Sequence, residues 1–378
     1  MEAVRLVGIT KGWAGVKAVD NLSLSMEKGE FITLLGPSGC GKTTTLRMIA
    51  GLEDPDDGDI YIDDRLVFSA SKGMNVPPSQ RGLGMIFQSY ALWPHMTVFD
   101  NVAFGLVQQK VPRNQIGDRV MGVLEQVELA PLAQRFPSEL SGGQQQRVAV
   151  ARMVVVSPGL LLMDEPLSNL DTRLRMQMRA SLKRMHQESG TTVIYVTHDQ
   201  EEALTLSTRI AVMNEGELEQ YESPEDVYDR PATQFVAEFT GNPQTNLIKA
   251  RATQGTASSE AGTDLEVAGR VIGHAMGSGF PDTVVLAARP EALILCDRDG
   301  PGRIPGAVYA TLPVGSSVLV YARIGGSGAG ASASETVIRA GRGAHVEANQ
   351  RVWLQLDWSQ VNMYDAATGR RLDNAVRP

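Results

Sequence analysis

The chain has 378 residues, of which 43% are hydrophobic and 21% charged, an ordinary composition for a soluble protein with room for two domains. Its formal net charge of −8 argues against a general nucleic-acid binder, which would carry an excess of basic residues. The two cysteines, Cys40 and Cys296, cannot form a disulfide framework, which fits a reducing cytosol. The sequence shows neither a secretion signal nor an apolar run of about 18 residues, so we expect any membrane role to come through a partner.

The first part of the chain predicts strands followed by a phosphate-binding loop. Alternating runs at 4–9 and 22–26 are typical of strands. Residues 36–43 have the sequence GPSGCGKT, with an apolar run before them and a helical run after them, which is the context that a phosphate loop requires. Its backbone N–H groups can converge on phosphate oxygens at the positive end of the new helix.

This loop predicts nucleotide binding. Lys42 would reach the β- and γ-phosphates, and the hydroxyl of Thr43 would bind Mg²⁺. The residues assigned to the nucleotide are Gly36, Pro37, Ser38, Gly39, Cys40, Gly41, Lys42, Thr43 and Thr44.

Short apolar runs continue along the chain at 83–87, 160–163, 192–196 and 210–213. Helical patterns lie between several of them, which predicts a mostly parallel sheet covered on both faces. The clearest helix is expected at 172–188, where Leu174, Met178, Leu182 and Met185 line one face. After Gly241 the pattern changes to short alternating strands separated by turns, which predicts a small β-barrel or sandwich. We place the domain boundary there, giving domains 1–240 and 241–378.

A second group of residues follows the phosphate loop. Residues 140–147 have the sequence LSGGQQQR, and an apolar-periodic run after them predicts a helix whose exposed N–H groups favour an anion. By itself this pattern could be an ordinary loop-to-helix turn. Asp164 ends a buried strand, where a carboxylate can hold the Mg²⁺ shell, and Glu165 could orient or deprotonate the attacking water. Adjacent acids could instead form a solvated turn.

These motifs and their order resemble the ATP-binding-cassette (ABC) ATPases, over residues 1 to about 240. The resemblance implies that Ser141, Gly142, Gly143 and Gln144 form the signature that contacts ATP. It also implies three catalytic residues: Glu165, the switch histidine His198, which contacts the γ-phosphate, and Gln88, a contact for Mg²⁺ and water. The metal contacts implied are Thr43, Gln88 and Asp164.

Two further sites rest on the same resemblance, each with an alternative. Trp13 occupies the place of an aromatic residue that stacks on adenine, although a tryptophan near a strand end is also a common core residue. Residues 168–171 resemble the D-loop, which touches the opposing subunit, and Asp171 could also be a helix N-cap.

The resemblance implies an α/β P-loop NTPase domain with a helical subdomain, followed by a small all-β OB-like (TOBE) domain. In this family two copies pair head to tail and sandwich ATP and Mg²⁺, and opening and closing of the homodimer drives a membrane partner. The implied partners are two transmembrane permease subunits and a periplasmic or extracellular solute-binding protein, with no nucleic acid. The chain would lie peripherally on the cytoplasmic face of the inner (plasma) membrane. We expect the permease to dock at 89–95, unless that loop packs on its own domain.

The C-terminal motifs at 289–291, 314–317 and 362–369 resemble the TOBE domain of importer ATPases. Residues 91–97 and 239–243 are most similar to the carbohydrate-uptake group, of the maltose or glycerol-phosphate type. Polyamine, ferric iron, sulfate and glycine-betaine importers remain alternatives, and residues 241–378 could also sense a ligand. A soluble ABC protein acting on nucleic acid or ribosomes is disfavoured by the single phosphate loop, the lack of heptads and the acidic balance.

Overall fold

The computed structural model describes residues 1–87, 92–156, 158–168, 170–254, 262–276, 280–325, 334–372 and 376–377. Within these residues the chain forms two compact units, Met1–Pro224 and Glu225–Pro378. Among the helices in these ranges, none combines the length and the hydropathy that a bilayer span needs.

The first unit contains the first eleven strands and six helices of the described chain. The strands are β1 (Glu2–Trp13), β2 (Val16–Glu27), β3 (Phe31–Leu35), β4 (Asp57–Ile62), β5 (Arg65–Ser69), β6 (Met74–Asn75), β7 (Leu83–Ile86), β8 (Leu160–Asp164), β9 (Thr192–Thr197), β10 (Arg209–Asn214) and β11 (Glu217–Glu222). The helices are α1 (Lys42–Ala50), α2 (Val98–Gln108), α3 (Arg113–Gln126), α4 (Gly142–Val154), α5 (Thr172–Ser189) and α6 (Gln200–Leu206).

The central sheet of this unit has the order β11-β10-β3-β9-β8-β7. All of its pairings are parallel except that of β11 with β10, which is antiparallel. Strands β3, β8 and β9 are buried along their whole length, as expected for central parallel strands covered on both faces. This confirms the predicted sheet. Leu35 pairs with Thr197 and Asp164 pairs with Val196, so the loops that follow β3, β8 and β9 leave from one edge of the sheet.

Two further layers complete the first unit. An antiparallel sheet of order β2-β1-β4-β5-β6 shares an apolar core with β3 and α1, where Leu6, Ile9, Leu34 and Ile49 are buried together. Helices α2, α3 and α4 form the predicted helical subdomain around a separate core. Its buried residues include Val102, Leu106, Val120, Leu124 and Val148. The expected helix at 172–188 is α5, with Met178 and Leu182 buried on its inner face, which confirms that prediction.

The second unit is built of antiparallel strands with two short helices. The helices are α7 (Pro224–Asp229), which begins at the boundary, and α8 (Gln234–Phe239). The strands are β12 (Asn246–Gln254), β13 (Gly262–Val267), β14 (Arg270–Met276), β15 (Thr283–Ala288), β16 (Leu293–Cys296), β17 (Arg303–Val314), β18 (Ser317–Ile324), β19 (Ser334–Gly341), β20 (Arg351–Leu356), β21 (Val361–Asp365) and β22 (Val376–Arg377). They form sheets of order β21-β15-β12-β13-β14-β22 and β16-β20-β17-β18-β19. The β20 pattern, with Val352, Leu354 and Leu356 buried, is the alternation that the sequence predicts.

The structure divides the chain earlier than residue 241. Ala237 in α8 is buried against Val285, Ala287 and Tyr364 of the second unit, and the Tyr364 hydroxyl donates a 2.9 Å hydrogen bond to the Pro231 carbonyl. Residues 225–240 therefore belong with the β-strands. Their helical pattern placed them with the first domain in the sequence prediction, because periodicity does not reveal which core a helix joins.

Candidate nucleotide-binding site

The phosphate loop, residues 36–41, lies between β3 and α1, as predicted. A Cβ at Gly36 would overlap the carbonyl oxygen of Met213, and one at Gly41, where φ is +99°, would overlap the carbonyl oxygen of Ala18. These two positions therefore require glycine. Ser38 and Gly39 are exposed at the tip of the loop, Pro37 and Thr44 are half-buried, and Cys40 is buried. The neighbouring strands β2 and β10 thus fix both ends of a loop whose tip is open to solvent.

Lys42 is buried inside this loop. Its Nζ donates hydrogen bonds of 2.8 Å to the carbonyl oxygens of Gly36 and Pro37 and lies 3.7 Å from the Cys40 sulfur. Burial raises the pKa of the Cys40 thiol. The loop therefore holds one positive charge at its centre, on the side from which α1 begins.

Thr43 and Asp164 meet although 121 positions separate them. The Thr43 Oγ1 donates a 2.9 Å hydrogen bond to Asp164 Oδ1. Asp164 is 3% exposed, and burial raises the pKa of its carboxyl group above the usual value, since charging it there costs solvation. A hydroxyl and a buried carboxylate are ligands that suit Mg²⁺, which is generally held by one or two carboxylates and by the phosphates rather than by a full protein cage. Among the residues that the structure describes, no cluster of three or more His, Cys, Asp or Glu side chains could hold a metal by itself.

Glu165 and His198 form a second pair beside the first. The Nδ1 atom of His198 lies 3.2 Å from Glu165 Oε2. Glu165 has a φ of +45°, a conformation that costs a non-glycine residue on the order of 1 kcal/mol. Its backbone N–H donates a 3.0 Å hydrogen bond to the Val196 carbonyl. The His198 side chain is 56% exposed. A carboxylate held in a strained turn and an accessible imidazole are thus presented where β8 and β9 end.

The signature segment caps a helix, as the sequence predicts. Ser141 is the N-cap of α4, and its Oγ accepts a 3.4 Å hydrogen bond from the Gln144 N–H. In return, Gln144 Oε1 accepts a 2.9 Å hydrogen bond from the Ser141 N–H. This is a capping box. Ser141 and Gly142 are exposed, and Gly143 is half-buried. Within the described residues, the hydrogen bonds of Ser141 and Gln144 stay inside this segment and do not reach the phosphate loop.

The remaining predicted residues have different outcomes. Trp13 ends β1 and is 49% exposed, with Lys11 Nζ 5.4 Å from its ring centroid, so it is not a core residue. Asp171 caps α5 by accepting from the Leu174 N–H at 3.0 Å. Gln88 lies outside the described residues.

The expected docking loop at 89–95 is described only from residue 92. The centroid of the Trp93 ring lies 4.3 Å from that of the Phe104 ring. The backbone N–H of Trp93 donates a 2.9 Å hydrogen bond to Asn101 Oδ1. Trp93 therefore packs on its own domain, which was the alternative to an exposed docking aromatic.

Sequence reasoning missed a buried polar network behind His198. Glu202 Oε2 accepts hydrogen bonds from the Tyr195 hydroxyl at 2.7 Å and from Thr197 Oγ1 at 2.8 Å. Burial raises the pKa of the Glu202 carboxyl group, and it raises the pKa of the Tyr195 phenol well above its ordinary value. The one available signal was Asp199, an N-cap residue three positions before Glu202, which predicts a helix start but not the network.

Comparisons with known proteins agree with this geometry. A family profile described as "ABC transporter" matches residues 19–168. The trehalose/maltose import ATP-binding protein of Thermococcus litoralis is 46% identical over 98% of this chain and 100% of its own length. The chain belongs to the ABC transporter ATP-binding subunits.

Two other relatives of this ABC subunit are also named as import ATP-binding proteins. An sn-glycerol-3-phosphate import ATP-binding protein of Cupriavidus pinatubonensis is 40% identical over 99% of this chain and 100% of the relative. A spermidine/putrescine import ATP-binding protein of Vibrio cholerae is 48% identical over 77% of this chain and 75% of the relative. An ATP-binding cassette solved as a dimer in a post-hydrolysis state with ADP and Pi aligns with a TM-score of 0.53 at 32% identity, covering 58% of this chain and 98% of that one. The ABC fold of the first unit is thereby established.

Proposed function

We propose that this ABC subunit hydrolyses Mg²⁺-ATP as one half of a head-to-tail homodimer and thereby powers an importer of a carbohydrate or polyol. The observation that carries the proposal is that two side-chain pairs lie next to each other at the edge of the sheet from which the phosphate loop leaves. Thr43, in the first turn of α1, contacts Asp164 at the end of β8, and Glu165, the next residue, contacts His198, which follows β9. Phosphoryl transfer depends on positioning and charge more than on covalent chemistry, and this arrangement supplies both.

Each residue of the site has a definite task in this proposal. The N–H groups of residues 38–44 and the Lys42 ammonium bind the phosphates. Thr43 and Asp164 would hold Mg²⁺, which would neutralise charge on the β- and γ-phosphates. Glu165 accepts the proton of the attacking water, and His198 donates a hydrogen bond toward the γ-phosphate. The 3.2 Å contact between Glu165 and His198 keeps the carboxylate from turning away. Trp13, exposed at the end of β1, stacks on adenine.

The homodimer is part of the proposal because the signature helix offers a second phosphate contact. The exposed N-terminus of α4, at Ser141 and Gly142, is an electropositive end that favours an anion. In a head-to-tail pair this end would face the γ-phosphate on the partner's loop. ATP would then bridge two surfaces, and hydrolysis would remove the bridge. The related cassette solved as a dimer with ADP and Pi supports this arrangement.

The membrane partners follow from the relatives named as import proteins. Two permease subunits would receive the closing motion of the dimer, and a periplasmic or extracellular solute-binding protein would deliver the cargo. The subunit would work at the cytoplasmic face of the membrane. The second unit, Glu225–Pro378, would be the OB-like regulatory domain.

The proposed cargo is based on the relatives that match this chain over their full length. The relatives matched over their full length are named for trehalose/maltose and sn-glycerol-3-phosphate. The spermidine/putrescine relative has a slightly higher identity but matches only 77% of this chain, so a polyamine is the second candidate.

Reconstitution tests both levels of the proposal. The chain is co-purified with its permease subunits and placed in liposomes, and ATPase activity is measured with solute-binding protein loaded with maltose, trehalose, glycerol 3-phosphate or spermidine. Stimulation by one of the first three supports the cargo proposal. Stimulation by spermidine alone would replace it with the polyamine alternative, and an absence of Mg²⁺-dependent hydrolysis would overturn the proposed function itself.

A further inference from the structure

A single arginine connects the two segments that flank the catalytic pair. Arg175 lies in the first turn of α5, and its Nη2 donates a 3.0 Å hydrogen bond to the carbonyl oxygen of Leu170. Its Nη1 donates a 3.3 Å hydrogen bond to Asp199 Oδ2. Leu170 belongs to the segment that follows Glu165, and Asp199 directly follows His198. The planar guanidinium therefore spans a gap between two loops that do not adjoin in sequence.

The contacts close a ring around Glu165 and His198. The Ser168 hydroxyl donates a 2.9 Å hydrogen bond to the Glu165 carbonyl, which holds Ser168 beside Glu165. Arg175 holds Leu170 through its carbonyl oxygen. On the other side, Asp199 Oδ1 accepts from the N–H groups of Glu201 and Glu202 at 2.9 and 3.1 Å. The position of the His198 turn is thus set both by α6 and by α5.

The buried network behind this ring anchors the residues on either side of His198. Arg175 Nε lies 3.9 Å from Glu202 Oε1, and the side chain of Glu202 is buried. Glu202 also holds Thr197, the residue before His198, at 2.8 Å. Both neighbours of His198 are therefore anchored: Thr197 by its hydrogen bond to Glu202, and Asp199 by its hydrogen bonds to Arg175 and to the start of α6. Arg175 contacts both anchors.

We infer that Arg175 is a positioning residue for hydrolysis. It sets the turn that carries Glu165 against the turn that carries His198, so that carboxylate and imidazole meet the γ-phosphate together. The inference rests on the proposed ATPase function. Arg175 is not assigned a contact with ATP, so its loss should lower kcat and leave the KM for ATP nearly unchanged.

A matched control lies one helical turn further along α5. Arg179 also contacts Asp199, with its Nη2 3.5 Å from Oδ2, and its Nη1 donates 3.1 Å to Glu201. The described contacts of Arg179 do not include the Leu170 carbonyl. Arg179→Met therefore removes the same charge near the same carboxylate and keeps the bridge between the two turns.

The experiment compares Arg175→Met, Arg175→Lys and Arg179→Met in the purified full-length chain, with unfolding temperature measured for each. Arg175→Met is expected to lower kcat about 10- to 100-fold, since small displacements of reacting groups cost that much, while KM changes less than about 3-fold. Arg175→Lys keeps the charge but cannot bridge both partners in the fork geometry, so its kcat should also fall, by about 10-fold. Arg179→Met should keep kcat within about 3-fold.

A double-mutant cycle with His198→Ala identifies the route of the effect. If Arg175 acts by placing His198, Arg175→Met should lower the residual rate of the His198→Ala protein by less than about 3-fold, because residues that act as a unit are strongly non-additive. Full additivity, or a normal kcat in both Arg175 variants, would overturn the inference while leaving a functioning wild-type ATPase. If Arg175→Met does not fold, Arg175→Lys decides the matter, and a normal kcat in that variant would likewise overturn the inference. A wild-type chain without hydrolysis would instead overturn the proposed function, and the inference with it.

Discussion

The Thr43 hydroxyl donates a 2.9 Å hydrogen bond to the carboxylate of Asp164, which joins the start of the phosphate-loop helix to the end of β8. The carboxyl group is buried and has a raised pKa, because burial outweighs the hydrogen bond from Thr43. A buried charge of this kind destabilises the fold by itself, and a bound cation removes that penalty. The pair therefore favours metal binding at the expense of stability in the metal-free chain.

Asp164→Asn should consequently raise stability and abolish Mg²⁺-dependent hydrolysis. The folded pKa lies above the unfolded one, so the folded state binds more protons, and stability is lost as pH rises from the ordinary value of 3.8 through the raised pKa. The Asn protein escapes this loss. Its unfolding temperature should exceed that of the wild type by an amount that grows with pH in that window and then stays constant. Scanning calorimetry without Mg²⁺ at pH 4 to 8 measures this, and a lower unfolding temperature at pH 7 would contradict it.

Thr43 offers a test of the same pair with a close control. Thr43→Val removes the hydroxyl and keeps the shape, whereas Thr43→Ser keeps the hydroxyl. The Val protein should need at least about 10-fold more Mg²⁺ for half-maximal hydrolysis, as expected for the loss of a charge-assisted oxygen contact of about 1.5 kcal/mol or more. The Ser protein should stay within about 3-fold of the wild type. Equal Mg²⁺ requirements in the two variants would remove Thr43 from the metal site.

The parts of this site that could be predicted from the sequence are those formed by short, continuous sequence motifs. The phosphate loop, the strand before Asp164 and the helix start at Ser141 each depend on local pattern, so sequence reasoning placed them correctly. Arg175 was not predictable, because its partners Leu170 and Asp199 are brought together only by the packing of α5 against α6.

Two other expectations failed or stayed open for physical reasons. The boundary near 241 missed that α8 packs on the β-strands, since an amphipathic pattern does not specify its partner. Gln88 follows β7 but lies outside the described residues, so its role remains a prediction.

Lys42→Ala should weaken nucleotide binding itself. The ammonium is buried and lies against the loop carbonyls of Gly36 and Pro37, where a triphosphate would take its charge. Loss of a charge-assisted contact to phosphate costs about 2 kcal/mol or more, which corresponds to at least about 30-fold in Kd. Equilibrium binding of ATP at fixed Mg²⁺ measures it, with the exposed Lys28→Ala as control. Unchanged ATP affinity in Lys42→Ala would contradict the loop assignment.

Trp13 gives a test of base stacking. Its exposed ring at the end of β1 can cover adenine, and loss of aromatic–base stacking costs about 1–3 kcal/mol. Trp13→Ala should therefore weaken ATP binding about 5- to 100-fold, and Trp13→Tyr should restore most of it. The unfolding temperature should hardly change in either variant, because the ring is not part of the core. A large drop in unfolding temperature with normal ATP affinity would instead assign Trp13 a structural role.

Glu165→Gln separates hydrolysis from dimer formation. The amide keeps the shape of the side chain but cannot accept the proton of water, so kcat should fall about 10²- to 10⁴-fold. The contacts of the loop and of Lys42 with phosphate are untouched, so ATP should still bind and, uncut, should hold two chains together. Light scattering with Mg²⁺-ATP should report a dimer for this variant, and a monomer with ADP. Glu188→Gln, on the exposed end of α5, is the control and should behave as wild type. A Glu165→Gln chain that stays monomeric in saturating ATP, alone and with its permease subunits, would refute the bridging role of the γ-phosphate, whereas near-normal turnover would refute only the role of Glu165 as base.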